Sequence, residues 1–299
     1  MPVPSARVEP APAKVNLTLR VLGRRPDGYH ELESLVVFAA AGDALAFAPG
    51  KNLALTVRGP TAAAAGDLSD NLVLKAARAL AERIEGLKLG RFVLSKRLPV
   101  AAGLGGGSTD AAAALRLLAR HNHITPDDAR LIAAARATGA DVPVCLDPRP
   151  RVMRGIGELL SQPLALPALP ALLINPRVSV ATKDVFAALK AAPVGERHHA
   201  KSVGEEWASR SHAPSRDELI AFVSRHGNDL EAPAIALHPA IPQTLAALRA
   251  LPGCRLARMS GSGASCFGLF DSSRAAAAAA RALRVPHPQW WIRPTVLGG

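Results

Sequence analysis

Glycine is concentrated in one short segment, Gly103-Leu104-Gly105-Gly106-Gly107-Ser108, between a predicted strand and a predicted helix. Because glycine has no Cβ atom, the backbone here can adopt positive φ and approach a ligand closely. Successive N–H groups can turn inward as an anion-binding nest, and the following helix adds the positive end of its dipole. The segment therefore predicts a loop that binds a polyphosphate.

This loop follows neither of two common phosphate-binding patterns. It lacks the GxxxxGK[ST] spacing of a Walker A loop, and its only match to the dinucleotide pattern GxGxxG ends in serine. A flexible linker or a tight turn is the alternative interpretation, although linkers rarely run straight into a capped helix. We expect Ser108 or Thr109 to be the N-cap of that helix.

Three residues outside the loop also have side chains suited to a reaction site. Lys14 lies on the polar face of a strand predicted by alternation over residues 13–22, where a lysine is usually only solvated. Asp141 follows Gly139 and Ala140, where an aspartate often serves as a turn residue or helix N-cap. Tyr29 is the only tyrosine and lies in a predicted loop, so its ring is suited to stacking on a base.

Strands and single helices follow one another along the chain in two halves, which favours an α+β or α/β architecture. Strands are predicted over 13–22, 34–38, 44–47, 91–98, 171–174, 254–260 and 264–271. Helices are predicted over 70–86, from 108 onward, and over 126–138, 217–225 and 240–250. The stretch 191–216 has no clean period and is predicted to be a long loop or a poorly ordered excursion. The proline-rich stretch 163–170 is the candidate domain junction.

Composition limits the classes of function. The chain has 299 residues, is 49% hydrophobic and carries a formal net charge of +12, which favours anionic ligands. Nucleic acid and phosphorylated metabolites both fit this charge. The chain has no run of five consecutive Lys or Arg residues and only 4% aromatic residues, so we expect no nucleic-acid partner.

The cellular compartment is inferred from cysteine usage and hydropathy. Three cysteines without a CxxC pair indicate a reducing compartment and no disulfide framework. The sequence shows neither an export signal nor a run of about 18 apolar residues, so we expect a cytoplasmic protein without a membrane partner.

Three motifs together resemble the GHMP kinase family. The central motif Pro-x-x-x-Gly-Leu-Gly-Gly-Gly-Ser is similar to the loop that wraps the triphosphate of ATP in that family. An N-terminal strand motif at 11–17 and a C-terminal glycine loop at 259–267 are similar to the other two family motifs, in the same order and at family-like spacing. The resemblance implies an α+β, two-domain GHMP kinase fold with the active site in the interdomain cleft.

Three further stretches resemble one subgroup of this family, the kinases of 4-diphosphocytidyl-2-C-methylerythritol. They are 23–32, 139–143 and 228–233, and the match fails around 191–216. The resemblance implies an enzyme that transfers phosphate from ATP, with Mg²⁺, to a cytidine diphosphate derivative. Homoserine or mevalonate kinase is the rival within the family, and a non-catalytic nucleotide-binding protein is the rival outside it.

The resemblance also implies roles for single residues. Asp141 corresponds to the general base and Lys14 to its catalytic partner. Tyr29 and Phe186 correspond to rings that stack on cytosine, His30 to the residue that reads the base edge, and Thr182 to a hydroxyl contact. Asn16 shares a strand face with Lys14 and is a further expected substrate contact, whereas Phe186 could instead be an ordinary core residue. The expected ATP loop consists of Pro99, Val100, Ala101, Ala102, Gly103, Leu104, Gly105, Gly106, Gly107, Ser108 and Thr109.

The resemblance suggests a division of the chain into an N-terminal kinase domain over 1–165, with the ATP loop and the catalytic pair, and a C-terminal domain over 166–299. The metal ligands stay open, and the expected state is a monomer or a homodimer.

Overall fold

The computed structural model of the chain describes residues 7–195, 203–208 and 213–298. The chain divides into two units that exchange segments along the sequence. Unit 1 comprises residues 1–13, 42–100 and 105–148, and unit 2 comprises residues 14–41, 101–104 and 149–299. The expected division at residue 165 stays a prediction, as does the location of the active site relative to the two units.

Unit 1 combines a small mixed sheet with helices whose alanine-rich faces are buried. Its elements are the first part of β1 (Arg7–Asn16), the second part of β3 (His30–Pro49), β4 (Ala54–Arg58), β5 (Gly90–Ser95), α1 (Leu72–Ala81), α2 (Gly106–His121), α3 (Ala129–Thr138) and α4 (Val142–Leu146). Strand β5 runs antiparallel to β3 and parallel to β4. Helix α2 packs against α1 and α4, and its alanines from 111 to 114 are fully buried, so the helices approach closely.

Unit 2 contains the remaining strands, which are mostly antiparallel. Its strands are β2 (Arg20–Arg24), β6 (Arg151–Gly155), β7 (Leu159–Leu160), β8 (Leu169–Asn175), β9 (Cys254–Met259), β10 (Cys266–Phe270) and β11 (Trp291–Leu297). Its helices are α5 (Thr182–Leu189), α6 (Val203–Ala208), α7 (Arg216–Arg225), α8 (Glu231–Leu237), α9 (Ala240–Arg249) and α10 (Ser273–Arg284). Strands β2 and β6 flank the first part of β3, and β9, β10, β8 and β11 are neighbours in that order. The α+β fold class is confirmed.

The N-terminal strand differs from its prediction in two ways. The predicted strand over 13–22 is two strands, β1 and β2, because the Thr18 hydroxyl accepts a hydrogen bond from Leu35 N (3.0 Å) and Leu19 N donates to Gly227 O (3.0 Å). Its polar face is not solvated: Lys14 is 4% exposed and Asn16 is 1% exposed. The surface interpretation of Lys14 is therefore wrong.

Two predicted helix starts are corrected. Helix α1 begins at Leu72 with Asn71 as its N-cap, because the Asn71 side chain accepts a hydrogen bond from Val73 N. Helix α2 begins at Gly106 and its N-cap is Gly105 in the left-handed region, so the expected N-caps Ser108 and Thr109 lie inside the first turn. The glycine segment therefore includes the start of the helix.

The stretch 191–216 is only partly described by the structure. Within it, Pro193 forms a parallel bridge with Arg24, and α6 covers 203–208. The prediction of a long loop is wrong for α6, and His198 and His199 lie outside the described residues. In the described part of the chain, no helix is long and apolar enough to cross a membrane.

Candidate active site

The glycine-rich loop has a conformation that only glycine allows at its centre. Gly103 has φ +73°, and a Cβ atom there would lie 2.4 Å from the carbonyl oxygen of Ser260. Gly105 has φ +61°, and no side chain caps the N-terminus of α2 that follows it. The first turn of α2 therefore offers backbone N–H groups to an anion, as the sequence predicts.

The loop residues belong to both units. Pro99 and Val100 lie in unit 1, residues 101–104 lie in unit 2, and residues 105–109 return to unit 1. Thr109 is buried, and its hydroxyl donates a hydrogen bond to Gly106 O (3.0 Å) within the first turn of α2.

In unit 2, both terminal motifs form hydrogen bonds with the central part of this loop. Lys14 N donates to Leu104 O (2.9 Å) and Ser265 N donates to Ala102 O (3.1 Å). The Ser260 hydroxyl donates to Gly103 O (2.9 Å). The three motifs, which are far apart in sequence, are therefore adjacent in the folded unit.

Asn16 is held firmly but keeps one unused acceptor. Its backbone N–H donates to the Ser260 hydroxyl (3.2 Å), and its side-chain amide donates to the Ser34 hydroxyl (2.7 Å). Its Oδ1 atom is buried and has no hydrogen-bond partner within the described residues. A buried acceptor without a partner is costly, so this atom is suited to accept a hydrogen bond from a ligand.

A pair of stacked rings lies in the same unit. The rings of His30 and Phe186 are 4.6 Å apart and nearly parallel, at 27°. Phe186 packs against the core of unit 2 and is partly buried, whereas its role as a ring that stacks on cytosine stays a prediction. Thr182, at the start of the same helix α5, shares a hydrogen bond with the Ser262 hydroxyl (2.8 Å). Helix α5 thus connects the ring pair to the C-terminal glycine loop.

The Tyr29 side chain is exposed on a turn that hydrogen bonds to Asp27 hold in place. The Asp27 carboxylate accepts hydrogen bonds from Tyr29 N (3.1 Å) and from the Arg25 guanidinium (3.2 Å). Gly28 has φ +87°, and the Tyr29 side chain is 60% exposed.

Partial burial, and then the nearby Arg24 charge, lower the pKa of His30, so its ring is neutral at neutral pH.

Asp141 occupies the N-cap position of α4 in unit 1. Its side chain forms no capping hydrogen bond, and Pro143 lies in the first turn of the helix. The predicted contact between Asp141 and Lys14 stays a prediction, because the two residues belong to different units.

Sequence reasoning missed the polar residues that support the C-terminal loop. Ser260 and Ser262 lie inside the recognised motif, but their hydrogen bonds could not be inferred from it. The family resemblance includes the stretch 228–233 but implies no role for it. The Asn228 amide donates to Met259 O (2.9 Å) and Gly261 O (2.8 Å), and Glu231 accepts from Met259 N (2.8 Å). This stretch therefore holds the first part of the C-terminal loop, at Met259 and Gly261.

We expect Asn228→Ala to lower the free energy of unfolding by roughly 2–3 kcal/mol, because it removes the side-chain donor to the buried Met259 carbonyl group and the partly buried Gly261 carbonyl group. Chemical denaturation measures the change. Asn52→Ala, on an exposed residue, is the control. Equal stability of the two variants would contradict this role for Asn228.

The described part of the chain contains no group of three or more His, Cys, Asp and Glu residues that could hold a metal ion. The three cysteines are free, and two of them are buried. Burial raises the pKa of the Cys266 thiol far above its ordinary value, so this thiol stays protonated.

Comparison with known proteins agrees with this arrangement. Residues 71–147 match the family model of the GHMP kinases N terminal domain, and residues 206–287 match that of the GHMP kinases C terminal domain. A protein of Xanthobacter autotrophicus named 4-diphosphocytidyl-2-C-methyl-D-erythritol kinase is 59% identical over 96% of this chain and 97% of its own length. A protein of the same name from Methylorubrum extorquens is 57% identical over 96% of this chain and 97% of its own length.

Solved structures show the same relationship. A crystal structure of 4-(cytidine 5'-diphospho)-2C-methyl-D-erythritol kinase is 36% identical to this chain, with a TM-score of 0.76. The match covers 98% of this chain and 100% of that one. Homoserine kinase from Cytophaga hutchinsonii shares the fold at 19% identity, with a TM-score of 0.67 over 98% of this chain and 95% of that one. The chain therefore belongs to the GHMP kinases, which are ATP-dependent small-molecule kinases, and within them to the 4-diphosphocytidyl-2-C-methyl-D-erythritol kinases.

Proposed function

We propose that the chain transfers the γ-phosphoryl group of ATP to the 2-hydroxyl of 4-diphosphocytidyl-2-C-methyl-D-erythritol. The products are ADP and the 2-phosphate, and the reaction is a step of non-mevalonate isoprenoid biosynthesis. The observation that carries the proposal is the stacked pair of His30 and Phe186 in the unit that also holds Lys14 and the C-terminal glycine loop. Homoserine and mevalonate have no base on which Tyr29 and Phe186 could stack or whose edge His30 could bind.

The loop over residues 99–109 is the proposed ATP site. ATP supplies the phosphoryl group, and the chain supplies positive φ at Gly103 and Gly105 and the uncapped N-terminus of α2. These features fit a polyphosphate, because backbone N–H groups and the helix dipole both favour negative charge.

The cytidine end of the substrate is assigned to the rings of unit 2. Tyr29 and Phe186 would stack on the base, and the neutral His30 ring would form hydrogen bonds to its edge. Thr182 and the buried Asn16 would bind polar groups of the substrate. The unused Oδ1 acceptor of Asn16 supports this assignment, because it would gain a partner when substrate binds.

Asp141 and Lys14 are the proposed catalytic pair. Asp141 would accept the proton of the attacking hydroxyl as the general base. The Lys14 ammonium would orient the Asp141 carboxylate and counter the charge on the transferring phosphoryl group. The burial of Lys14 strengthens such an interaction, because its charge is shielded less by water.

Mg²⁺ is proposed to enter with the nucleotide. Mg²⁺ is usually bound through substrate phosphates and one or two carboxylates rather than by a dedicated protein cage. No residue is assigned to it, and no step above depends on it. A cytoplasmic location, a monomeric or homodimeric state and the lack of a nucleic-acid or membrane partner are further proposals from the sequence.

Turnover of ATP by purified protein with Mg²⁺ tests the proposal. The alcohols compared are 4-diphosphocytidyl-2-C-methyl-D-erythritol, homoserine and mevalonate, with ADP formation and the phosphorus NMR spectrum of the product as readouts. We expect turnover only with the cytidine substrate. Turnover only with homoserine or mevalonate would refute the proposed substrate and the roles of Tyr29 and His30.

The lowered pKa of His30 predicts a pH effect on substrate affinity. The neutral ring stabilises the folded protein above the ordinary histidine pKa of about 6.5, and that contribution is lost as pH falls through the lowered pKa. Protonation also places a second positive charge near Arg24. We therefore expect the KM for the cytidine substrate to rise at acidic pH.

The KM for ATP, measured at the same pH values, is the internal control. His30→Gln keeps a hydrogen-bonding side chain that does not titrate, so its KM for the cytidine substrate should change little with pH. If the KM of His30→Gln for the cytidine substrate rose at acidic pH as much as that of the wild-type protein, His30 would be excluded as the titrating group.

A further inference from the structure

A buried cluster of three charges lies in unit 1, outside the residues assigned above. The Lys96 ammonium lies 2.7 Å from Asp43 Oδ2 and 2.6 Å from Asp110 Oδ2. The three residues are 5%, 3% and 2% exposed, respectively. Two carboxylates therefore share one ammonium in a place that water barely reaches.

This cluster joins the two chain segments that flank the glycine-rich loop. Asp43 Oδ1 accepts hydrogen bonds from Arg97 N (2.5 Å) and Leu98 N (2.8 Å), immediately before the loop. Asp110 lies in the second turn of α2, immediately after the loop. The Lys96 ammonium lies 3.2 Å from the point where a Cβ atom of Gly106 would be, so it lies against the first residue of that helix.

A cluster of buried charges stabilises a fold poorly. A buried ion pair is often no more stabilising than apolar residues of the same volume, because both charges lose their hydration. Here the second carboxylate must either carry a charge that one ammonium does not balance or be protonated. Asp110 Oδ1 is buried and lacks a hydrogen-bond partner within the described residues. General stability is therefore a poor explanation for these residue types at this place.

The electrostatics agree with a charged lysine between its two partners. Burial lowers the pKa of Lys96, but the Asp110 and Asp43 carboxylates outweigh this effect and the net shift is upward. Burial and the Asp43 charge raise the pKa of Asp110 in spite of the adjacent Lys96. The ammonium thus stays charged beside Gly106, at the end of the helix where anions bind.

We propose that Asp110 is a positioning residue for ATP, which acts through Lys96 and Asp43 to fix the start of α2 against the chain segment before the loop. The proposal rests on the proposed ATP site and adds residues to it that do not touch the nucleotide. A shift of the first turn of α2 would misalign its N–H groups with the phosphates, and such misplacement weakens binding and catalysis.

Asp110→Ala tests this role. The variant should fold, because alanine favours a helix and the remaining Lys96 and Asp43 form a balanced pair. We expect the Kd for a fluorescent ATP analogue and the KM for ATP to rise by about tenfold or more, while the KM for the cytidine substrate changes less than about twofold. Asp110→Asn keeps an oxygen acceptor for Lys96 and should restore both ATP constants to near the wild-type values.

Glu9→Ala is the matched control, because Glu9 is a buried carboxylate that pairs with Arg116 and Arg120 farther along the same helix. It should lower the melting temperature without changing the Kd for the ATP analogue. An equal loss of ATP affinity in Glu9→Ala and Asp110→Ala, or wild-type affinity in Asp110→Ala, would overturn the proposal.

The nucleotide-binding measurement needs no phosphate acceptor. Failure of the wild-type protein to phosphorylate the cytidine substrate would refute the proposed substrate, whereas the ATP-analogue affinities would still decide the role of Asp110.

Discussion

Asp141→Asn is expected to reduce kcat by about 10²–10⁴-fold, the range that general-base catalysis contributes. Asparagine has the size of aspartate but cannot accept the proton of the attacking hydroxyl. The fold should be preserved, because asparagine also keeps a side-chain oxygen that accepts hydrogen bonds. The KM values for ATP and the cytidine substrate should therefore change much less than kcat. Steady-state kinetics with each substrate varied in turn measure both effects.

Asp127→Asn is the matched control for this variant. It removes a carboxylate from an exposed position in the same unit and should leave kcat unchanged. If Asp141→Asn retained most of the wild-type kcat with a normal melting temperature, Asp141 would not be the base. A loss of kcat accompanied by unfolding would instead mean that the carboxylate is structural, which contradicts the proposed role.

The parts of the fold that sequence predicts well have a strong local signal. The strands at 254–260 and 264–271 and the helices at 217–225 and 240–250 all lie within or close to the observed elements. Strand β11 was missed because Pro294 interrupts its pattern, and it forms through its pairing with β8 and, at Leu297, with β3. Helix α10 was missed although alanine is the strongest helix former and its buried residues Ala276, Ala279, Ala280 and Leu283 recur at helical spacing.

The candidate site was predictable as a list of residues but not as an arrangement. Motif order brought Lys14, Asn16 and the two glycine loops into one hypothesis. Burial of Lys14 could not be inferred, because alternation over 13–22 indicates which residues share a face but not whether that face is solvated. The hydrogen bonds of Ser260 and Asn228, and the charge cluster around Lys96, depend on contacts between distant segments and gave no local signal.

Gly103→Ala is expected to have the second large effect. A Cβ atom at this position would lie 2.4 Å from Ser260 O and 2.8 Å from Gly263 O, both backbone atoms that cannot move without shifting the C-terminal glycine loop. The φ angle of +73° adds strain for any residue with a side chain. We expect kcat/KM for ATP to fall by about 100-fold, because the carbonyl contacts that shape the loop would be lost.

Gly86→Ala is the control that tests backbone strain without a steric clash of the new Cβ atom. Gly86 has φ +72°, almost the same angle, but nothing lies within 4 Å of the position of its Cβ atom. Its substitution should therefore cost only the left-handed strain, about 1–2 kcal/mol of stability, and leave the ATP kinetics unchanged. Gly103→Ala should lose both stability and ATP turnover, since its collision involves the proposed ATP loop. Equal ATP kinetics in the two variants would mean that the contact between Gly103 and Ser260 does not shape the ATP site.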